Sequence, residues 1–168
     1  MWLSRRGLIL WGIAGLAGCG YRPLYGQRAS GGSVPSQFSR IEVGRIDGRT
    51  GSQLGNYLID QFSARGGNHK KEYRLDIALS DSKLGLAIRE DEAVTRFNYR
   101  LLGSVRLTRL DDQKIIFEDL VRTTSAYNVV QSEFATLSAE RDAEERAARD
   151  MGSEISTRLA IFFQRVSL

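Results

Sequence analysis

Residues 95–110 read TRFNYRLLGSVRLTRL, and this stretch decides the fold. Side chains alternate across a strand with a period of two. Here Phe97, Tyr99, Leu101, Val105 and Leu107 fall on one side, while Arg96, Asn98, Arg100, Ser104, Arg106 and Thr108 fall on the other. An apolar face backed by a polar one is the pattern of a half-buried strand, in a sheet covered on one side and open on the other. The neighbouring segments must supply both the rest of that sheet and its cover.

Downstream, Asp111-Asp112-Gln113 makes a polar turn into a second strand over residues 114–127. Ile115, Phe117 and Val121 are expected to share its inward face, although Asp119 interrupts them and Ile116 and Leu120 lie on the opposite side. Upstream, Tyr73, Leu75, Ile77 and Leu79 alternate with Arg74, Asp76, Ala78 and Ser80. Apolar alternation resumes at Leu84, Leu86 and Ile88 in the other phase, which predicts a bulge near residues 81–83. Residues 38–46 read as one further strand, with Ile41 and Val43 on one face and Arg40 and Glu42 on the other.

The cover comes from two helices. Ser52 is the expected N-cap of the first, which gathers Leu54, Tyr57, Leu58 and Phe62 on one stripe and stops at Gly66 and Gly67. Residues 132–166 hold no proline and one glycine, with Ala143, Ala147, Met151, Ile155, Leu159, Phe162 and Val166 spaced three or four apart. Asp142 and Arg146, Glu145 and Arg149, and Glu154 and Arg158 place an acid four residues before a base, which supports an exposed helical face. Sixteen strand residues at about 3.3 Å and some 34 helical residues at about 1.5 Å both give about 50 Å, so this helix can cover the hairpin along its length. Alanines 139, 143 and 147 would allow a close approach. The expected fold is an α/β two-layer sandwich, with a mixed four-stranded sheet in β-α-β-β-β-α order and both helices packed on one face. The first helix is then a right-handed crossover between parallel strands, and the later strands pair antiparallel. The open face carries Arg96, Arg100 and Arg106.

The chain of 168 residues, 42% hydrophobic and 26% charged, is long enough for one domain with a core of its own. No apolar run reaches the roughly 18 residues of a membrane-crossing helix. A single cysteine excludes an internal disulfide and a thiolate zinc site.

That cysteine lies at the end of an export signal. Arg5 and Arg6 precede the apolar run at residues 8–17, which is followed by Gly18 and Cys19. Ten apolar residues rise only about 15 Å, half a bilayer core, so the segment is expected to be removed rather than to anchor. Leu16-Ala17-Gly18-Cys19 resembles the lipobox of bacterial lipoproteins, which implies cleavage before Cys19 and lipidation of it. More than one acyl chain gives stable attachment. Ser4-Arg5-Arg6 can also be read as a twin-arginine signal, so the export route stays open. The expected organisation is a signal at 1–18, a lipidated start and flexible tether at 19–37, and the folded domain at 38–168. Removal of the signal leaves 22 basic against 20 acidic residues, or +2 instead of +4. An exported, tethered protein with so small a charge is a poor match for nucleic acid.

The residues offer no catalytic constellation. His69, the one histidine, sits in a polar turn away from any cysteine or acidic cluster, and neither a nucleophile elbow nor a phosphate loop occurs. Glu90-Asp91-Glu92 reads as a charged hairpin tip, the usual meaning of such a run. No enzyme, metal or cofactor is expected.

Cys19-Gly20-Tyr21-Arg22-Pro23-Leu24-Tyr25-Gly26, the six-element order and the alanine-rich segment at 134–143 together resemble the LptE family of lipopolysaccharide-assembly lipoproteins. The resemblance implies an outer-membrane lipoprotein on the periplasmic side. It would plug the large LptD barrel, assist that barrel's assembly and meet lipopolysaccharide. Large outer-membrane barrels have a polar lumen that can hold a plug, and guanidinium forks suit the phosphates and carboxylates of the glycolipid. Arg96, Arg100 and Arg106 are therefore the candidate contacts to barrel or lipopolysaccharide; an ordinary solvated sheet face would carry the same residues. A periplasm-facing adaptor or activator of cell-wall or transport machinery would share the tether and the fold.

Overall fold

The computed structural model describes residues 37–63, 69–86 and 96–166. In chain order the elements are β1 (Ile41–Val43), α1 (Gly48–Ser63), β2 (Tyr73–Leu86), β3 (Arg96–Arg109), β4 (Ile115–Asn128) and α2 (Glu133–Val166). The sheet order is β1-β2-β3-β4, with β1 parallel to β2 and the other pairs antiparallel. Helix α1 connects the parallel pair, as a crossover must. The order, the mixed sheet and the two-layer build agree with the alternation read from the sequence.

Strands β2, β3 and β4 are each 14 residues long and α2 has 34. At ordinary rises these are about 46 Å and about 51 Å, so the helix matches the sheet end to end. Leu75 and Ile77 of β2, Tyr99, Leu101, Val105 and Leu107 of β3, and Val121 of β4 are buried beneath Ala143, Ala147, Met151, Ile155 and Leu159 of α2. Helix α1 lies beside α2 over the same core, contributing Leu54, Leu58 and Phe62. The helices cross tightly at Gly152, where a Cβ would stand 2.4 Å from Cδ1 of Tyr57. Only glycine permits that approach. The pairs Asp142 and Arg146, Glu145 and Arg149, and Glu154 and Arg158 all form.

An aromatic cluster closes the end of the sandwich where β1 lies. The Phe38 ring stacks on Phe62 at 5.0 Å and meets Phe163 edge-on at 6.4 Å, while Phe163 also meets Tyr73 at 5.4 Å. At the opposite end Phe97 stacks on Tyr127 at 5.6 Å. All four distances lie in the range where aromatic pairs add to simple burial.

Five local expectations differ from what is observed. The strand expected over 38–46 shortens to Ile41–Val43, because Gln37 and Phe38 form a helical turn that aims Phe38 into the aromatic cluster. Helix α1 starts at Gly48, whose φ of 84° suits glycine, so Ser52 is no cap; its hydroxyl donates to the Gly48 carbonyl one turn back. No bulge occurs at 81–83: the β2–β3 register runs unbroken from Tyr73↔Arg109 to Leu86↔Arg96. Leu84 and Leu86 consequently emerge on the open face. The irregularity lies instead between Leu107 and Thr108, opposite Ile115 and Phe117, and it leaves Ile115 exposed while Ile116 packs on the core. Finally, Phe163 rather than Phe162 is buried at the end of α2, and Val166 is exposed. A straight helix turns 3.6 residues per turn, so a stripe followed at intervals of four drifts around it. Gly66, Gly67 and Ile88 lie outside the described residues.

Candidate functional site

The open face consists of the even-numbered residues of β2, β3 and β4 down to the β4 irregularity, and the register sets their neighbours. Arg106 lies between Asp76 and Glu118, Arg100 between Ser82 and Thr124, and Arg96 between Leu86 and Asn128. All three arginines expected on this face stand on it, exposed to solvent.

Their electrostatic situations differ. Arg106 is held across the strands by Glu118, with Nη2 2.9 Å and Nε 3.3 Å from Oε1. Beside it Asp76 takes the Arg74 Nε at 3.0 Å, and this hydrogen bond raises the Arg74 pKa above its ordinary value. Arg74, Asp76, Arg106 and Glu118 thus neutralise one another at the end of the face nearest β1. Arg96 and Arg100 have no carboxylate opposite them in the register and no ion-pair partner among the described residues. About 13 Å separates them along β3 at the usual strand rise.

A third guanidinium without an ion-pair partner among the described residues belongs with these two and was missed by sequence reasoning. Arg122 of β4 is opposite Leu102, which makes it a diagonal neighbour of Arg100 at roughly 7–8 Å between Cα atoms. The signal existed in the period-two pattern of β4. It was obscured because Ile116 and Leu120 share the phase of Arg122, so neither face looked cleanly polar. The apolar residues are themselves part of the surface: Leu84 is 49% exposed, Leu86 38% and Leu120 64%, all on the open face. Cations interleaved with exposed leucines offer an anionic amphiphile both a charge partner and an apolar contact.

The inward face explains Asp119, the residue that interrupts the apolar pattern of β4. Its Oδ2 accepts from Nη1 of Arg158 on α2 at 2.6 Å, and that hydrogen bond holds the Asp119 carboxyl below the usual carboxylate range. Near the far end Lys83 pairs with Glu140 of α2, whose other oxygen accepts from the Tyr127 hydroxyl at 3.4 Å. Burial raises the pKa of the Tyr127 hydroxyl. These groups tie the helix to the sheet.

His69 is exposed, and among the described residues no cluster of His, Cys, Asp or Glu could hold a metal ion. Among them, too, no helix is long and apolar enough to cross a membrane. Cys19, the signal, the tether and Glu90-Asp91-Glu92 lie outside the described residues.

A family model described as "LptE: Lipopolysaccharide-assembly" matches residues 38–159, from the turn before β1 to the last turns of α2. Among solved structures, a lipoprotein of Caulobacter crescentus CB15 is 25% identical, with a TM-score of 0.60 over 77% of this chain and 94% of that one. The rare lipoprotein B of Shewanella oneidensis has a TM-score of 0.57 at 8% identity, covering 76% of this chain and 98% of that one. A minor lipoprotein of Acinetobacter baumannii has a TM-score of 0.53 at 13% identity, covering 73% and 92%. At 8% and 13% identity the likeness is one of fold. No curated protein matches the sequence.

Proposed function

Because this chain belongs to the LptE family, a non-enzymatic family of lipopolysaccharide assembly, we propose that it acts as a lipid-anchored plug of an LptD-like outer-membrane barrel. In this reading residues 1–18 are removed and Cys19 carries the acyl chains. Residues 19–37 span from the membrane to the domain, which begins at 38. The long narrow sandwich fits a polar lumen. Arg96, Arg100 and Arg122 meet the anionic head of lipopolysaccharide or the acidic groups of the barrel wall. Arg106, already neutralised by Glu118, serves mainly to hold the strands together.

The observation that carries this reading is the division of the open face. Its charges cancel at one end, while the rest presents Arg96, Arg100 and Arg122 with Leu84, Leu86 and Leu120 and no acid among its described outward residues. An unneutralised guanidinium in a partly apolar setting binds phosphate by charge-assisted hydrogen bonds, which are stronger than neutral ones.

Charge reversal tests it. Arg100→Glu combined with Arg122→Glu is expected to weaken lipopolysaccharide binding at least about tenfold, the equivalent of roughly 1.4 kcal/mol, or to reduce recovery of the barrel in co-purification. Arg106→Glu is the comparison, expected to cost stability with little change in binding. Unchanged glycolipid affinity and unchanged barrel recovery in the double variant would refute the assignment. Cys19→Ser should leave the protein soluble or unprocessed, and normal membrane fractionation of that variant would overturn the anchor.

A further inference from the structure

The two edges of the sheet are treated differently. The outer edge of β4 is occupied by helix α2: the Leu120 carbonyl accepts from Arg158 Nη1 at 3.4 Å and the Ala126 carbonyl from Arg146 Nη2 at 3.2 Å. The Leu120 amide also donates to the Asp119 carboxylate at 2.8 Å. Charged side chains on edge groups are a known protection against pairing with another chain.

Among the described residues the opposite edge has no such cover. Strand β1 pairs with β2 only from Ile41↔Tyr73 to Val43↔Leu75, and the Gly44 amide then donates to the Leu75 carbonyl at 2.8 Å. Beyond that point the chain turns away into α1. In a regular strand the backbone groups facing one edge repeat every second residue. Those of 77, 79, 81, 83 and 85 therefore point the same way as Leu75, and no hydrogen bond among the described residues uses them. Residues 80–86 are exposed on both faces of the strand as well.

We propose that residues 79–85 of β2 are a self-association edge, pairing antiparallel with the same strand of a second copy about a two-fold axis at Ser82. This inference is independent of the proposed function. A closed pairing of one edge with itself must be antiparallel, and the axis can then lie at Asp81, Ser82 or Lys83. An axis at Asp81 sets two unpaired carboxylates against each other, which is unfavourable, and one at Lys83 sets together two ammonium groups that each already hold Glu140 of their own copy. An axis at Ser82, which lies in a non-hydrogen-bonded row of this edge, places the unpaired Asp81 opposite Lys83 twice, where it would join the ammonium group that Glu140 of α2 already holds, and Leu79 opposite Gly85. On the open face it brings Ser80 opposite Leu84. The Asp81 carboxylate is exposed and has no ion-pair partner among the described residues. Four reciprocal pairs give about eight backbone hydrogen bonds. So small an interface belongs with weak, concentration-dependent contacts.

Sedimentation velocity of the detergent-solubilised full chain between about 1 and about 500 μM tests this, with circular dichroism to confirm folding. The expected mass rises from monomer toward dimer across that range. Asp81→Lys should shift the midpoint at least about tenfold upward, with Lys83 left in place to hold Glu140. The register has its own readout in a Cys19→Ser background. Ser82→Cys, opposite itself across a non-hydrogen-bonded pair about 4.5 Å between Cα atoms, should cross-link under mild oxidation, and Ser80→Cys should not. A monomer throughout the range, association indifferent to Asp81→Lys, or equal cross-linking at 80 and 82 would each overturn the proposal.

Discussion

The crossing of α1 and α2 at Gly152 can be tested by adding one methyl group. In isolation Gly152→Ala would stabilise the chain by about 1 kcal/mol, the difference in helix propensity between the two residues. The structure opposes that gain, because the new Cβ would lie 2.4 Å from Cδ1 and 2.8 Å from Cε1 of Tyr57, and 3.3 Å from Cδ1 of Leu54. Carbon atoms in contact prefer about 3.5–4.0 Å, so the ring must move by about 1 Å. It is not free to do so: Gln61 donates to the Tyr57 hydroxyl at 2.8 Å and accepts from Ser156 of α2 at 2.9 Å, which links both helices. Overpacking of this kind costs about 1–3 kcal/mol. The expected net effect is a destabilisation of about 1 kcal/mol. In a Tyr57→Ala background the two closest contacts vanish and the propensity term remains, so the same methyl should stabilise by about 1 kcal/mol. The two effects differ by about 2 kcal/mol, well above the error of a double-mutant cycle. Urea unfolding of the four proteins, lacking residues 1–19 and followed by circular dichroism, measures it. If Gly152→Ala stabilises the chain that still has Tyr57, or if the two substitutions are additive, the close crossing is wrong.

Two further outcomes follow from single contacts. Met151, fully buried where α2 crosses the middle of β3, should cost about 2–4 kcal/mol when replaced by alanine, and a urea midpoint within error of wild type would show that the site collapses or was never packed. The Asp119 pair with Arg158 gives a pH signature. The unfolded carboxyl titrates near the ordinary aspartate value of about 3.9, and the folded one below it. The pair's stabilisation is therefore fully present above the unfolded pKa and is lost as pH falls through the folded value. Both side chains are about one-third exposed, so Asp119→Asn is expected to lower stability at pH 7 by no more than about 1 kcal/mol. That gap should narrow as pH falls below about 4, and a gap that stays constant on acidification would count against the ion pair.

The order of elements was legible in the sequence because it rests on local geometry. A residue's place on a strand or helix face depends only on its distance along the chain, so the apolar rows of β3 and of α2 declare themselves without knowledge of any partner. The same local rule showed that Arg96, Arg100 and Arg106 share one face. Asp119 had to appear as a flaw in its strand, since the guanidinium that answers it lies 39 residues away on α2. The phase of the β2 continuation was misread for a similar reason: Leu84 and Leu86 look like core residues until the β3 register places them outside.

The residues alone determined the elements, their order and the composition of the open face, because these follow from side-chain alternation and chain stereochemistry. Which arginines on that face are neutralised was decided only by the tertiary structure. Charge cancellation depends on what stands across the strand, and an irregularity beside Leu107 and unbroken pairing along β2 determine that. Glu118 thereby meets Arg106, while Arg96, Arg100 and Arg122 are left without acids opposite them.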